Sequence, residues 1–302
     1  MKYQDSQFKF LAVIFFIIVS LGFVFLLKPK NVVNRSLVKP TKPKVVATLY
    51  PIYDFIRRIS SDKIEVVLIP PPGIEVHEFE PKLSDIKSVK DADLVFYTSD
   101  ILEPWIKRAD ITNDKLINLS ANIKLTNNDP HYWLKPSNAL IMIDDITHAL
   151  AKIDSKNSTL YKQRSEKLKK QILEIDTELK QNLVSCKTRT IYHAGHFAFG
   201  YLANAYSLDY KALQGFSPEG EIKMQDVANL IKELKSENVK SIFVEESIDA
   251  KVAKLIGDET GAKIYHLNSA HEINSDDFNN KVTYVEIMRR NLENLKKGLG
   301  CR

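Results

Sequence analysis

Residues 155–183 read SKNSTLYKQRSEKLKKQILEIDTELKQNL, 29 positions without a glycine or a proline. Their apolar residues Tyr161, Leu168, Ile172, Ile175, Leu179 and Leu183 fall at intervals of 7, 4, 3, 4 and 4 on a background of Lys, Glu and Gln. That is one face of an α-helix. At the ordinary helical rise such a segment is a rod of roughly 43 Å, as long as a whole lobe. Its place in the middle of the chain predicts a spine between two lobes.

On both sides of the rod, short apolar runs alternate with helical patterns. Before it, strands are expected at Val45–Leu49, Ile64–Ile69, Leu94–Tyr97 and Leu116–Leu119, and helices at Ile52–Ile59, Leu83–Val89, Leu102–Arg108 and Pro136–Ile153. Beyond it, strands are expected at Thr190–His193, Ser241–Val244 and Lys263–His266. Helices are expected there at Phe197–Tyr206, Asp226–Ser236, Ala250–Gly257 and Asp277–Lys297. Alternation of this kind gives mainly parallel sheets flanked by helices. The expected fold is therefore α/β, with two lobes (45–154 and 185–302) joined by one long rigid helix (155–184).

The N-terminus is of another kind. Phe10–Leu27 is an uncharged stretch of 18 residues flanked by Lys9 and by Lys28 and Lys30. It is just long enough to cross a bilayer and rather long for the apolar part of a cleaved signal peptide. Residues 1–28 are read as a signal-anchor, the alternative being a cleaved signal peptide, and 29–44, with Pro29, Pro40 and Pro43, as an extended linker. No Cys follows the apolar run, so no lipid attachment is expected there. The flanking charge alone would put the large domain in the cytoplasm. The metal motif described below argues for the opposite side, and is given precedence.

The formal charge of +5 comes from this terminus: beyond residue 43 the chain has 36 basic and 37 acidic residues. A near-neutral globular part implies no basic face, and nucleic acid is not an expected partner. Cys186 and Cys301 are too few for a disulfide scaffold. An oxidising compartment permits them to pair, and two free thiols are the equal alternative.

Of seven histidines, four stand in loops after strands: His77, His131, His196 and His271. In open α/β sheets ligands bind beyond the carboxyl ends of strands, where such loops gather. Neutral imidazoles converging from both lobes suit Zn²⁺, which favours nitrogen and sulfur in a tetrahedron, whereas Mn²⁺ favours more carboxylate oxygen. His148 reads as a helix-surface or packed residue, His193 as a support for His196 or a solvated residue, and His266 as structural. Asp93, Asp100 and Glu103 read as solvated acids. Trp105 and Trp133 read as packing residues, with Trp133 walling the site beside His131.

Four stretches carry a resemblance: Pro71-Pro72-Gly73-Ile74-Glu75-Val76-His77-Glu78-Phe79-Glu80-Pro81, Asp129-Pro130-His131-Tyr132-Trp133-Leu134, His196-Phe197-Ala198-Phe199-Gly200-Tyr201-Leu202-Ala203, and Gly215-Phe216-Ser217-Pro218-Glu219-Gly220-Glu221. Ser241-Ile242-Phe243-Val244-Glu245 and Glu259-Thr260-Gly261-Ala262 extend it. In these the chain resembles the metal-specific substrate-binding proteins of ABC importers, over residues 45 to about 297. The resemblance implies that His77, His131 and His196 bind the metal. His at the third position, where manganese members more often carry Glu, implies zinc. The family often places a Glu in the loop after the last strand; its place falls on His271, with Glu272 adjacent. His271 is the preferred fourth ligand, Glu272 the alternative, and water the remaining one. Two departures stand out. Lys135 replaces the usual acid after the second motif, and Glu80-Pro81 runs straight into a helix where many members have a His-rich loop.

The resemblance implies a receptor that captures Zn²⁺ outside the cell membrane and hands it to an ABC permease. It is not expected to be an enzyme, and is expected to act as a monomer. The location is the outer face of the cytoplasmic membrane, or the periplasm if the N-terminal segment is cleaved. Metal would bridge the lobes, and the rod would hold opening to a small shift. The alternatives are a manganese receptor, a zinc-dependent adhesin and a zinc hydrolase. No His-Glu-x-x-His helix supports the last.

Overall fold

The computed structural model describes residues 42–216, 223–245 and 250–302. Four short strands, β1 (Lys44–Ala47), β2 (Glu65–Leu68), β3 (Leu94–Tyr97) and β4 (Leu116–Asn118), form an all-parallel sheet in the order β2-β1-β3-β4. The central strands are almost wholly apolar because helices cover both faces: Val45, Val46, Val95 and Phe96 are completely buried. The covering helices of this lobe are α1 (Tyr50–Ser60), α2 (Leu83–Lys90) and α3 (Pro136–Ile153). Pro51 and Pro136 stand in the first turns of α1 and α3, where a missing N–H costs nothing.

Then comes the rod, α4 (Ser158–Leu183). Its buried face is Tyr161, Ser165, Leu168, Ile172, Ile175, Leu179 and Leu183, so Ser165 fills the gap in the apolar stripe. The helix packs on α1 and α3 of the first lobe and on the last helix of the second. Tyr206 donates to Asp176 of the rod at 2.9 Å, and Arg289 pairs with Glu178 at 2.9 Å.

The second lobe repeats the first. Strands β5 (Thr190–Ala194), β6 (Asp209–Ala212), β7 (Ser241–Glu245) and β8 (Lys263–Leu267) are all parallel, in the order β6-β5-β7-β8. Its helices are α5 (Gly200–Ala205), α6 (Met224–Ser236), α7 (Ala250–Thr260), α8 (Ser275–Asn279) and α9 (Tyr284–Leu299). In each sheet the order reverses between the first and third strands, so both lobes aim a topological switch point and its loops at the same cleft.

Several expectations are corrected. The single closing helix Asp277–Lys297 is two, because Lys281 takes a left-handed φ of 56° and Thr283 with Glu286 forms a capping box that starts α9 afresh. Strand β6 was not expected: the alternating exposure of Asp209-Tyr210-Lys211-Ala212 at a sheet edge leaves no apolar run. The expected helix Leu102–Arg108 shrinks to a 3₁₀ turn at Pro104–Arg108. Glu103 is not solvated. It is 4% exposed, accepts from Thr48 Oγ1, Thr98 N and Ser99 N at 2.5, 3.1 and 3.0 Å, and is pushed up to about 7 by burial. Among the described residues no helix is long and apolar enough to cross a membrane. The expected anchor Phe10–Leu27 lies outside them.

Cys186, just past the rod, is joined to Cys301 near the C-terminus by a disulfide. The bond closes a loop with a sequence separation of 115 that contains the whole second lobe. In the chain-entropy account a loop of that length is worth up to about 5 kcal/mol. The double variant Cys186→Ser/Cys301→Ser is expected to lose several kcal/mol in urea unfolding with its metal affinity unchanged. Equal unfolding midpoints for variant and parent would show that the reduced chain is already held by other contacts.

Candidate metal centre

The first candidate ligand hangs from the loop after β2. Pro70, Pro71 and Pro72 stiffen it, and Gly73 takes φ +82°, a conformation that residues with side chains rarely adopt. The Gly73 amide donates to the Ile273 carbonyl across the cleft at 2.8 Å. Val76 is buried in the core, which sets His77 at the loop's end facing the cleft.

His131 follows β4 and leads into a 3₁₀ turn, Tyr132–Leu134, whose three side chains are completely buried. Tyr132 donates to the Thr98 carbonyl at 2.8 Å and Trp133 to the Ser269 carbonyl at 2.8 Å. The Trp133 ring lies 5.3 Å from His131, so it does wall the site. His196 comes two residues after β5, its carbonyl receiving Tyr210 Oη at 3.1 Å. Gly195 before it is required by crowding: a Cβ there would stand 2.7 Å from His193 and 2.8 Å from the Glu245 carboxyl. His271 follows β8, after Ala270 in a left-handed conformation with φ 62°, which the Asn268 side chain braces by accepting from Ala270 N at 2.7 Å.

These four imidazoles come together. His77, His131, His196 and His271 each offer a nitrogen, and the four lie within 4.8 Å of one another. His131 Nε2 is 3.1 Å from His77 Nε2 and 3.0 Å from His196 Nε2. Zn–N bonds at tetrahedral angles put ligand nitrogens roughly 3.3 Å apart, so these spacings fit a zinc ion with little movement.

Neighbouring groups aim the rings. His131 Nδ1 lies 2.7 Å from Asp129 Oδ1, and His271 Nδ1 2.6 Å from Ser269 Oγ. His196 Nδ1 is 2.5 Å from Glu245 Oε1, a close contact with a carboxylate that is out of line for a hydrogen bond. Partners of this kind fix which nitrogen faces a metal and make it more basic. None of Asp129, Glu245 or Glu75 was given a role above, although an acid stands two residues before both His77 and His131. Glu245, at the end of β7, carries no such local signal.

Burial sets the protonation. His77 is held down to about 3, by desolvation first and by His271 next. His131 lies well below the ordinary imidazole value because it is buried and has three imidazole neighbours, and burial pushes Asp129 up to about 7. His271 goes the other way. Desolvation lowers it, but Glu75, 3.2 Å from its Nε2, with Glu245 and Glu272 behind, raises it above the ordinary value. Burial would raise Glu75, and the bonds from His271 and the His77 amide override this and bring it to about 2. His77 and His131 thus face the centre as neutral bases, whereas Glu75 favours the protonated form of His271.

The remaining histidines stay out. His193 is buried beneath the site with Nδ1 2.8 Å from Tyr210 Oη; it packs on Phe199 and is not among the four. His148 and His266 are exposed, so His266 is not the structural residue expected. Glu272 joins Glu75 and His271 in a second group, its ligand atoms also within 4.8 Å. Lys135 sits half-buried at the start of α3.

The zinc-uptake complex component A family (ZnuA, periplasmic) matches residues 45–298. The chain belongs to that family. Among its relatives is the high-affinity zinc uptake system protein ZnuA of Bacillus subtilis, 31% identical over 284 residues, covering 86% of this chain and 89% of that protein. The crystal structure of the metal-dependent lipoprotein YcdH from Bacillus subtilis superposes with a TM-score of 0.78 at 33% identity, covering 85% of this chain and 100% of that one. The Zn(II)-bound ZnuA-like domain of Streptococcus pneumoniae AdcA gives 0.77 at 26%, covering 86% and 99%. The chain spans only 56% of the zinc-binding protein AdcA of Streptococcus pyogenes, to which it is 27% identical. The two-lobed ZnuA architecture is thus shared by this chain in full.

The His271–Glu75 pair sets a pH window for the metal-free protein. A raised imidazole contributes stability below its ordinary value of 6.5, and this is lost as pH rises through the raised value. A lowered carboxyl contributes above its ordinary value of 4.5, and this is lost as pH falls toward about 2. Both contributions are complete between those ordinary values. Glu75→Gln is expected to cost roughly 1–2 kcal/mol at about pH 5.5 and less on either side. Denaturant midpoints of chelator-stripped protein across that range check it; a deficit independent of pH would contradict the ion pair.

Proposed function

We propose that this chain is an extracytoplasmic receptor that captures Zn²⁺ with His77, His131, His196 and His271 and delivers it to the permease of an ABC importer. The observation that carries the reading is the gathering of four imidazoles, three of them buried, within 4.8 Å. Four nitrogen ligands complete a tetrahedron and leave no position for a reacting water, which suits a carrier and not a hydrolase. Nitrogen in all four positions also favours zinc over the harder, oxygen-seeking manganese. The zinc-named and Zn(II)-bound relatives support the same cargo.

The disulfide supports an oxidising compartment. Both cysteines are used in it, so attachment to the outer face of the cytoplasmic membrane falls to Phe10–Leu27, kept as an anchor, with a cleaved signal peptide and a periplasmic chain as the alternative. The receptor acts as a monomer.

Calorimetry on chelator-stripped protein is expected to find one zinc per chain, with His131→Ala abolishing tight binding. Glu245→Gln, which leaves the four imidazoles in place, is expected to weaken zinc by about 10–100-fold. Zinc at a thousandfold excess over Kd should raise stability by about 4 kcal/mol. Unchanged affinity in His131→Ala would overturn the ligand assignment. Intact mass and membrane fractionation decide the anchor: a shortened, soluble mature chain would rule it out.

A further inference from the structure

Beside the four imidazoles lies a cavity of about 170 Å³ lined by Glu245, Leu267, Asn268, Ser269, His271, Glu272 and Asn274. It has room for an ion with several waters. Its inner wall is buried His271 and Glu245, and its outer wall is half-buried Glu272 and exposed Asn274, so it leads from the surface to the site. His271 belongs to two groups at once. Its Nδ1 is held by Ser269 Oγ at 2.6 Å, so Nε2 is the shared atom: His271 completes the four imidazoles, and with Glu75, 3.2 Å from Nε2, and Glu272 it forms a second group whose ligand atoms again lie within 4.8 Å. Glu245, 9% exposed, adds a second carboxylate to the cavity's inner wall.

We infer that Glu75, His271 and Glu272 form an entry subsite, where a divalent cation lands before it passes to the four imidazoles. This rests on the zinc-receptor reading of the inner site. The chemistry differs between the two positions. An outer site of two carboxylates and one imidazole attracts a hydrated cation by charge and binds it through oxygen. The inner site offers only nitrogen and sits in buried surroundings. His271 is common to both, so the ion need never be released during transfer. Its bonds to Glu75 and Glu272 break as bonds to His77, His131 and His196 form, and the metal stays Zn²⁺ throughout. A shared ligand also makes the two positions mutually exclusive, so the protein still binds one ion.

Stopped-flow kinetics of Zn²⁺ with the chelator-stripped full chain test this. Trp133, 5.3 Å from His131, reports arrival at the inner site by fluorescence. Dissociation is followed with excess chelator. Glu272→Gln, a near-isosteric change at a half-buried position, is the informative variant. A subsite on the path changes the barrier and not the end states. Association and dissociation rates are therefore expected to fall together, by roughly tenfold, with Kd little changed. A faster dissociation with unchanged association would make Glu272 a ligand of the final site and overturn the inference. Slower association with unchanged dissociation would mean long-range attraction only, and also overturn it. So would rates equal to the parent's. Failure of the parent protein to bind zinc at all would instead overturn the receptor reading.

Discussion

Apolar side chains of α1, α3, α4 and α9 pack into one buried cluster that also takes in Val45 and Phe96 of the first sheet and Ile191 and Phe243 of the second. The two lobes are therefore not separate bodies on a tether. Close-packed interiors resist small displacements, because each lost contact forfeits dispersion energy with nothing to replace it. Polar bonds reinforce the junction: Asp54 of α1 accepts from the Tyr284 amide at 3.0 Å, and Arg57 donates to the Lys281 carbonyl at 2.9 Å. Rotation of one lobe about the rod would have to break this core, so the cleft keeps its width to within small shifts. That constraint holds four imidazole nitrogens within 4.8 Å of one another.

Such a site has an electrostatic cost that the protein meets locally. Burying a divalent ion among neutral imidazoles is unfavourable unless negative charge lies close. Glu75 and Glu245 stay ionised despite burial, because His271 and the His77 amide hold the first and His196 the second. The carboxylates thus serve twice, aiming the rings and balancing the ion.

Much of this was legible in the residues. The rod was, because a helix of that length with no Gly or Pro writes its period plainly; the buried Ser165 within its stripe was not, since a small polar residue gives no signal. Central strands were legible from their apolar runs, whereas edge strand β6, with Asp209 and Lys211 facing water, was not. The four loop histidines could be placed beyond strand ends by pattern alone. Their convergence could not, because it depends on how two sheets face each other across 65 residues or more of chain. Glu245 was hidden for the same reason: only the pairing of β5 with β7 brings it to His196.

The origin of the ligands differs from what chain order suggests. His271 follows the last strand of the second sheet, yet its loop is held by the first lobe. The Gly73 amide bonds to Ile273, the Trp133 indole to Ser269, and Glu75 to His271 itself. Ala270 and Ile273 are buried in the shared core. His77, His131 and His271 are thus referenced to one frame, and the His196 segment is tied to it as well: Tyr201 Oη accepts from the Thr126 amide at 2.8 Å and donates to the Asp129 carbonyl at 3.2 Å, and Ala198, Phe199 and Leu202 lie in the same buried cluster. Losing one ligand of four opens a coordination position without scattering the rest. An all-or-none hinge would have to break every bond at once. A fused core that holds both lobes is therefore compatible with a site at which a bound ion would exchange ligand by ligand, through a cleft that need open little.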